Sequence, residues 1–331
     1  MAVDQTFVKA LPKSELHAHL SGSISTDVLH DLWLKQGLSD RGLPDPKTAL
    51  SPAGGIDVVS FFPLFDTYIY QLVNHADAVA YTTRRVLQDF QDDGVAYLEL
   101  RTTPRQSLDT GLTKDLYVST VNREVADWNA SQANSMEHCM EARIILSVDR
   151  KMSAAEAEQV VDLALQHKHD PSQPNVPKCV VGVDLCGNPS RGDVSTFTHT
   201  FHRARTHGLG MTVHFTEIPT QTTPDELGTI LSWAPQRLGH VIIVPAQAKE
   251  VIRERRLALE LCLSCNVLAK LTIGGFGEHH FKLWNQTECP VALSTDDVGI
   301  FGSPFVARVS ARCTTLWFEP SRPDQACKEC S

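Results

Sequence analysis

His17 and His19 lie two apart in the run SELHAH, residues 14–19. On an extended strand alternate side chains share a face about 6.6 Å apart, so both imidazoles can converge on one ion at about 2.0–2.1 Å. His214 and Asp296 end two other apolar runs, which brings the set to three imidazoles and a carboxylate. Such a set suits zinc with one position left for water. A water on zinc ionises near pH 7 instead of about 15.7, which supplies hydroxide at neutral pH. Taken singly, either histidine reads better as a hydrogen-bonded core residue, because 14 histidines place some two apart by chance. The convergence of four strand-end residues favours the metal. His279-His280 is the competing pair, but its glycine-flanked loop GGFGEHHF suits the rim of a site better than its floor. Acid-base candidates stand beside the ligands: Glu217, three residues after His214; His240, ending the next strand; and Asp297, directly after Asp296. Each competes with a reading as helix cap or surface charge.

These residues need a frame that gathers strand ends. Eight runs read as strands: 14–19, 95–102, 142–149, 178–185, 211–216, 237–243, 257–263 and 291–295. Helical stretches alternate with them, as parallel α/β folds require. Ser153 with Glu156 reads as a capping box, and Thr223 followed by Pro224 as a helix start. Val79, Thr83, Val86, Leu87 and Phe90 share one helical face, and Ala157, Val160, Val161 and Ala164 another. The expectation is an α/β fold, a (β/α)8 TIM barrel of the metal-dependent hydrolase type, with its chemistry at the strands' C-terminal ends. A doubly wound sheet would show a glycine-rich turn after the first strand, where this chain has His-Ala-His. Residues 36–75 hold a Gly, Pro, Ser and Asp-rich stretch followed by SFFPLFDTYIY, and read as a helical lid insertion after the first strand.

The chain has 331 residues, 42% of them hydrophobic, which excludes a disordered or fibrous class. A net charge of -9 repels phosphate backbones, so no nucleic-acid partner is expected and any anionic ligand must be met locally. No run approaches the roughly 18 apolar residues of a membrane span, and the acidic start excludes a signal peptide, so no membrane partner and a cytoplasmic location are expected. Nine scattered cysteines fit reduced thiols better than a disulfide framework, and Cys262/Cys265 and Cys327/Cys330 lie too far apart in the chain to read as one zinc site.

Four separated segments, LPKSELHAHLSGSIS, HFTEIP, RLGH and STDD, resemble the adenosine/AMP deaminase family in order and spacing. DDGVAYLELRTTPR, SVDR, VGVDLCGNP and LELCLSCNV resemble its adenosine deaminase-like branch, whose members act on N6-methyl-AMP. The resemblance runs from about Leu11 to Phe301. The other zinc deaminases carry a P-C-x-x-C signature that is absent here. The resemblance implies one zinc per chain on His17, His19, His214 and Asp296, with Glu217 protonating the purine ring, His240 orienting or deprotonating the water, and Asp297 holding it. It implies substrate contacts from His19, Tyr70, Thr102, Thr103, Pro104, Arg105, Asp149, Gly187 and Asp297. The reaction implied is hydrolytic deamination of a purine nucleotide, N6-methyl-AMP to IMP and methylamine, by a monomer. Adenosine deamination and an inactive zinc-binding scaffold are the alternatives.

Arg105, and secondarily Arg101, are the cations expected to meet a phosphate, while Glu99 competes for Arg101. Phe61, Phe62 and Phe65 offer apolar room for an N6-methyl group, or form plain helix core. Two positions depart from the family pattern, Tyr70 in place of a His and Cys265 in place of a Ser. The barrel is expected to occupy residues 1–302, followed by an atypical tail, 303–331. Codons can be chosen for Ala307 to Pro320 whose next reading frame spells Arg-Glu-Tyr-Gln-Leu-Ala-Ala-Gln-His-Phe-Gly-Leu-Ser, which is similar to the family's continuation. The tail is therefore expected to stem from a frameshift or splice error, and loss of the closing helices would favour the inactive scaffold. Sequencing the transcript across Ser303 to Ala307 should reveal a frame change; an uninterrupted frame refutes it.

Overall fold

The computed structural model describes residues 5–50, 58–132, 139–173 and 177–303. Residues 304–331 of the expected tail, with Cys327 and Cys330, and residues 51–57 of the expected insertion lie outside them. Eight strands form: β1 Lys13–His19, β2 Val95–Thr102, β3 Glu141–Asp149, β4 Val180–Cys186, β5 Gly210–Phe215, β6 Arg237–His240, β7 Ala258–Leu261 and β8 Val291–Leu293. They pair in parallel in sequence order. The seam between first and last strand closes through an Ala18/Asp296 bridge, in which His19 N–H donates to Asp296 O at 3.0 Å and Asp296 N–H to His17 O at 2.7 Å. The architecture is a (β/α)8 barrel.

The outer helices bury the faces that their periodicity marked. Val79, Val86, Leu87 and Phe90 of helix Ala76–Asp92 are buried, as are Ala157, Val160, Val161 and Ala164 of Ala154–Gln166. Ser153 and Glu156 form the reciprocal capping box, and Thr223 accepts from Glu226 N–H with Pro224 opening its helix. The described part of residues 36–75 holds short helices, including Val58–Leu64 and a π-helical turn Phe65–Ile69.

The last three strands are shorter than their apolar runs. β6 ends at His240 because His240 and Val241 turn to positive φ, 64° and 47°. β7 stops at Leu261, as Leu263–Leu268 coils into a helix. The residues beyond each strand thereby leave the ladder and turn toward the barrel mouth.

Glu15 fastens the seam from inside. Fully buried, its carboxylate accepts from His17 N–H and from Thr295 N–H, both at 2.8 Å, and so ties β1 to the exit of β8. Glu15→Ala strips the acceptor from two buried amides, each worth about 1–3 kcal/mol. Urea denaturation should show a loss of about 2–5 kcal/mol; an unchanged midpoint argues against this role.

Candidate active site

The C-terminal mouth of the barrel opens into a cavity of about 340 Å³. At its floor stand His19 of β1, His214 of β5 and Asp296 after β8, with the fully buried His17 of β1 directly behind them. His214 Nε2 lies 3.2 Å from His17 Nε2 and 3.0 Å from His19 Nε2, while Asp296 Oδ1 is 3.6 and 3.4 Å from the same two rings. Four donors about 2.0–2.1 Å from a tetrahedral cation stand about 3.3 Å apart, which is the spacing observed.

The protons on these rings strengthen the fit. His17 Nδ1 lies 2.7 Å from the Glu260 carboxylate, so Nδ1 carries the hydrogen and Nε2 a bare lone pair. His214 Nδ1 lies 2.8 Å from Leu185 O and 3.1 Å from Asp184 Oδ1, so Nδ1 carries a hydrogen there too, and against burial Asp184 raises the pKa of this ring. With His214 Nε2 deprotonated, the two facing lone pairs repel unless a cation sits between them. Burial holds His17 well below its ordinary pKa and His19 down at about 3, so both are neutral donors. Burial opposes ionisation of Asp296, yet the His240, His19 and His214 rings hold it down at about 2. The four donor atoms stand close enough together to hold one metal ion.

Behind the donors lies a buried polar layer. Glu260 Oε2 receives His17 and Arg101 Nη2 at 2.8 Å, and its Oε1 receives Thr212 Oγ1 at 3.0 Å and Arg237 Nε at 2.6 Å. Arg101 also reaches Asp184 at 3.3 Å. Its partners are therefore Glu260 and Asp184 rather than Glu99, which pairs with Arg237. Gly239 makes room for this layer, since a Cβ there would stand 2.5 Å from His17 Cε1. Gly22 likewise clears space for Asp297.

Glu217, His240 and Asp297 ring the donors, all buried and all on the cavity wall. Glu217 Oε1 lies 3.2 Å from His240 Nε2. Gln221 Oε1 accepts the Glu217 N–H at 2.7 Å and fixes that turn. Burial, then the adjoining Asp296, pushes the Asp297 carboxyl well above the ordinary range. Seven non-glycine residues have positive φ among those described, and four of them, Thr216, His240, Val241 and Asp296, sit here. Strain of this kind persists only where surroundings enforce it. His280 Nε2 donates to His240 O at 2.6 Å and Trp284 Nε1 to Val241 O at 3.1 Å.

Of the expected substrate contacts, His19, Tyr70, Thr102, Thr103, Asp149, Gly187 and Asp297 line the cavity, while Pro104 and Arg105 do not. Arg105 instead stacks over Tyr70 at 4.0 Å and Tyr117 at 5.0 Å. Lys151 and Arg191, unmarked by the sequence reading, line the wall as cations. Phe61, Phe62, Phe65 and Phe301 supply an apolar side, with Phe61 and Phe301 stacked at 5.6 Å. Glu260 also escaped the sequence reading, although a lone carboxylate inside the apolar run LALELCL was its signal.

A family model described as Adenosine deaminase matches residues 12–320. This chain belongs to the adenosine deaminase family. The match passes Phe301, where the motif-level resemblance ends. The chain is 31% identical to the N6-Methyl-AMP deaminase of Homo sapiens, over 90% of this chain and 81% of that protein. It is 33% identical to the N6-Methyl-AMP deaminase-L of Xenopus laevis, over 95% and 86%. The arabidopsis ADAL complexed with IMP superposes with a TM-score of 0.83 at 30% identity, covering 94% of this chain and 88% of that one. Members of this family are metal-dependent hydrolytic enzymes that act on C–N bonds, and the donor cluster stands where such a metal is needed. No described helix is long and apolar enough to cross a membrane.

If Glu260 orients His17 for a metal, Glu260→Gln should weaken metal affinity about 10- to 100-fold, read by chelator competition on the folded protein. Unchanged affinity counts against the orienting role.

Proposed function

We propose that this chain is a zinc-dependent hydrolytic deaminase of N6-methyl-AMP, releasing IMP and methylamine. The observation that carries the reading is the cluster of three imidazoles and a carboxylate, within reach of one ion, at the foot of a cavity walled by Glu217, His240 and Asp297. Relatives named for this activity, and the related structure complexed with IMP, support the choice of substrate.

His17, His19, His214 and Asp296 would hold one zinc ion, which when bound supplies a nucleophile by acidifying water near neutral pH. Glu217, buried at the cavity wall, delivers a proton to the purine ring nitrogen and so lowers the aromatic resistance to attack. Asp297, on the cavity wall beside Asp296, helps hold the water at the reacting centre. The apolar side formed by Phe61, Phe62, Phe65 and Phe301 accommodates an N6-methyl substituent. Lys151 and Arg191 meet the 5′-phosphate, which a surface of net charge -9 would otherwise repel. Arg105, the cation expected from the sequence, acts through Tyr70 by holding its ring against the cavity. The described part of residues 36–75 serves as the lid: Asp66 within it pairs with Lys151 after β3 at 2.9 Å, and both line the cavity.

The purified protein should release methylamine from N6-methyl-AMP faster than ammonia from AMP or adenosine, with the two amines assayed separately. Preference for adenosine would overturn the nucleotide assignment, and bound zinc without turnover of any of the three would favour the inactive scaffold. Glu217→Gln should keep its zinc by elemental analysis and lose about 10²- to 10⁴-fold in kcat; a near-normal rate refutes the proton-donor role.

A further inference from the structure

Three buried side chains in a row lead away from the catalytic wall. His240 Nδ1 lies 3.0 Å from the Asn266 carboxamide, whose other end lies 3.3 Å from His279 Nε2, and His279 Nδ1 accepts the Phe281 N–H at 3.0 Å. Proton bookkeeping along this row has one solution. The backbone amide of Phe281 can only donate, so His279 Nδ1 is an acceptor. His279 is neutral, its pKa driven down to about 2 by burial, so its single hydrogen is on Nε2. That hydrogen needs the carboxamide oxygen. With Oδ1 turned toward His240, the amide nitrogen and the His279 N–H would face each other as two donors; a 180° turn of the carboxamide removes the conflict. Its nitrogen then donates to His240 Nδ1.

We infer that Asn266 and His279 are positioning residues that fix His240 as the Nε2–H tautomer, so that His240 presents a hydrogen, and not a lone pair, to Glu217 and the catalytic centre. The distance of 3.2 Å from His240 Nε2 to Glu217 Oε1 accommodates that hydrogen bond. The assignment is opposite to that of His17 and His214, whose hydrogens are on Nδ1. It also separates His240 from the metal donors. By distance alone His240 completes two further ligand-quality groups, one with His17, Cys262 and Asp296 and another with His214 and Glu217. A ring whose Nε2 is already protonated cannot serve in either. The catalytic meaning rests on the deaminase reading: His240 orients water or a developing oxyanion as a donor and does not begin the cycle as the base. The tautomer itself is independent of that reading.

The test is long-range proton–nitrogen NMR of the full-length chain labelled with ¹⁵N-histidine, without substrate, with His240 assigned by the signals lost in His240→Gln. The expected pattern is a protonated Nε2 and an unprotonated Nδ1, and the reverse pattern overturns the inference. Asn266→Asp replaces the donor with a carboxylate that can only accept, and should switch His240 to Nδ1–H and lower kcat at least about 10-fold, with metal content and thermal midpoint retained. Should that variant fail to fold, His279→Gln and His279→Leu decide. Glutamine reproduces the Nε2–H donor and should keep the His240 pattern, whereas leucine should lose it. An unaltered pattern in His279→Leu refutes the relay. A chain with the expected tautomer that deaminates none of the purines sinks the functional reading and leaves the tautomer standing.

Discussion

One buried carboxylate organises this barrel. Glu260 lies at the interior of β7 with no exposure and receives hydrogen bonds from His17 on β1, Arg101 on β2, Thr212 on β5 and Arg237 on β6. A charge buried this deeply is tolerated only when surrounded by donors. Here the two guanidiniums balance it, and the cost of desolvation becomes orientation. Because Glu260 demands a hydrogen from His17 Nδ1, the opposite nitrogen is left bare toward the cavity floor. The constraint that holds five strands in register therefore also decides the chemical character of a donor atom.

The backbone at the mouth is shaped for the same end. Thr216, His240, Val241 and Asp296 all adopt left-handed conformations that ordinary residues avoid. Each lies where a strand breaks off to aim a polar side chain inward. His280 and Trp284, from the loop between β7 and β8, grip the two carbonyls of the His240–Val241 turn. The glycine-flanked His279-His280 pair, a rival metal site on sequence alone, thus belongs to the scaffold of His240, one ring through its carbonyl and the other through Asn266.

Strand identity was legible because each strand is an apolar run bounded by polar residues, and a parallel barrel repeats that pattern eight times. The donors were legible because His17 and His19 alternate along a strand and His214 and Asp296 close others. Side chains that turn across the barrel were not. Arg101 shares a strand face with Glu99, so local pairing looked natural, yet each meets a partner from another strand, because inward side chains of a barrel stack in layers contributed by different strands. Arg105 was read as a phosphate cation from its place beyond β2, but Tyr70 and Tyr117 lie close enough to draw its guanidinium away from the cavity wall. Lys151 and Arg191 sit in loops whose paths no periodicity encodes. Exposure of a loop cation to a cavity is a property of the assembled mouth and has no signature in the chain.

The peptide units that zip the first strand to the last belong to His17, His19 and Asp296, which are also three of the four donors. If the proposed ion is held there, its uptake and the closure of this seam are coupled. Free metal concentration would then enter the folding equilibrium by mass action, and a chelator would weaken that one seam. Withdrawing such an ion would act first on the join between the first strand and the exit of the last.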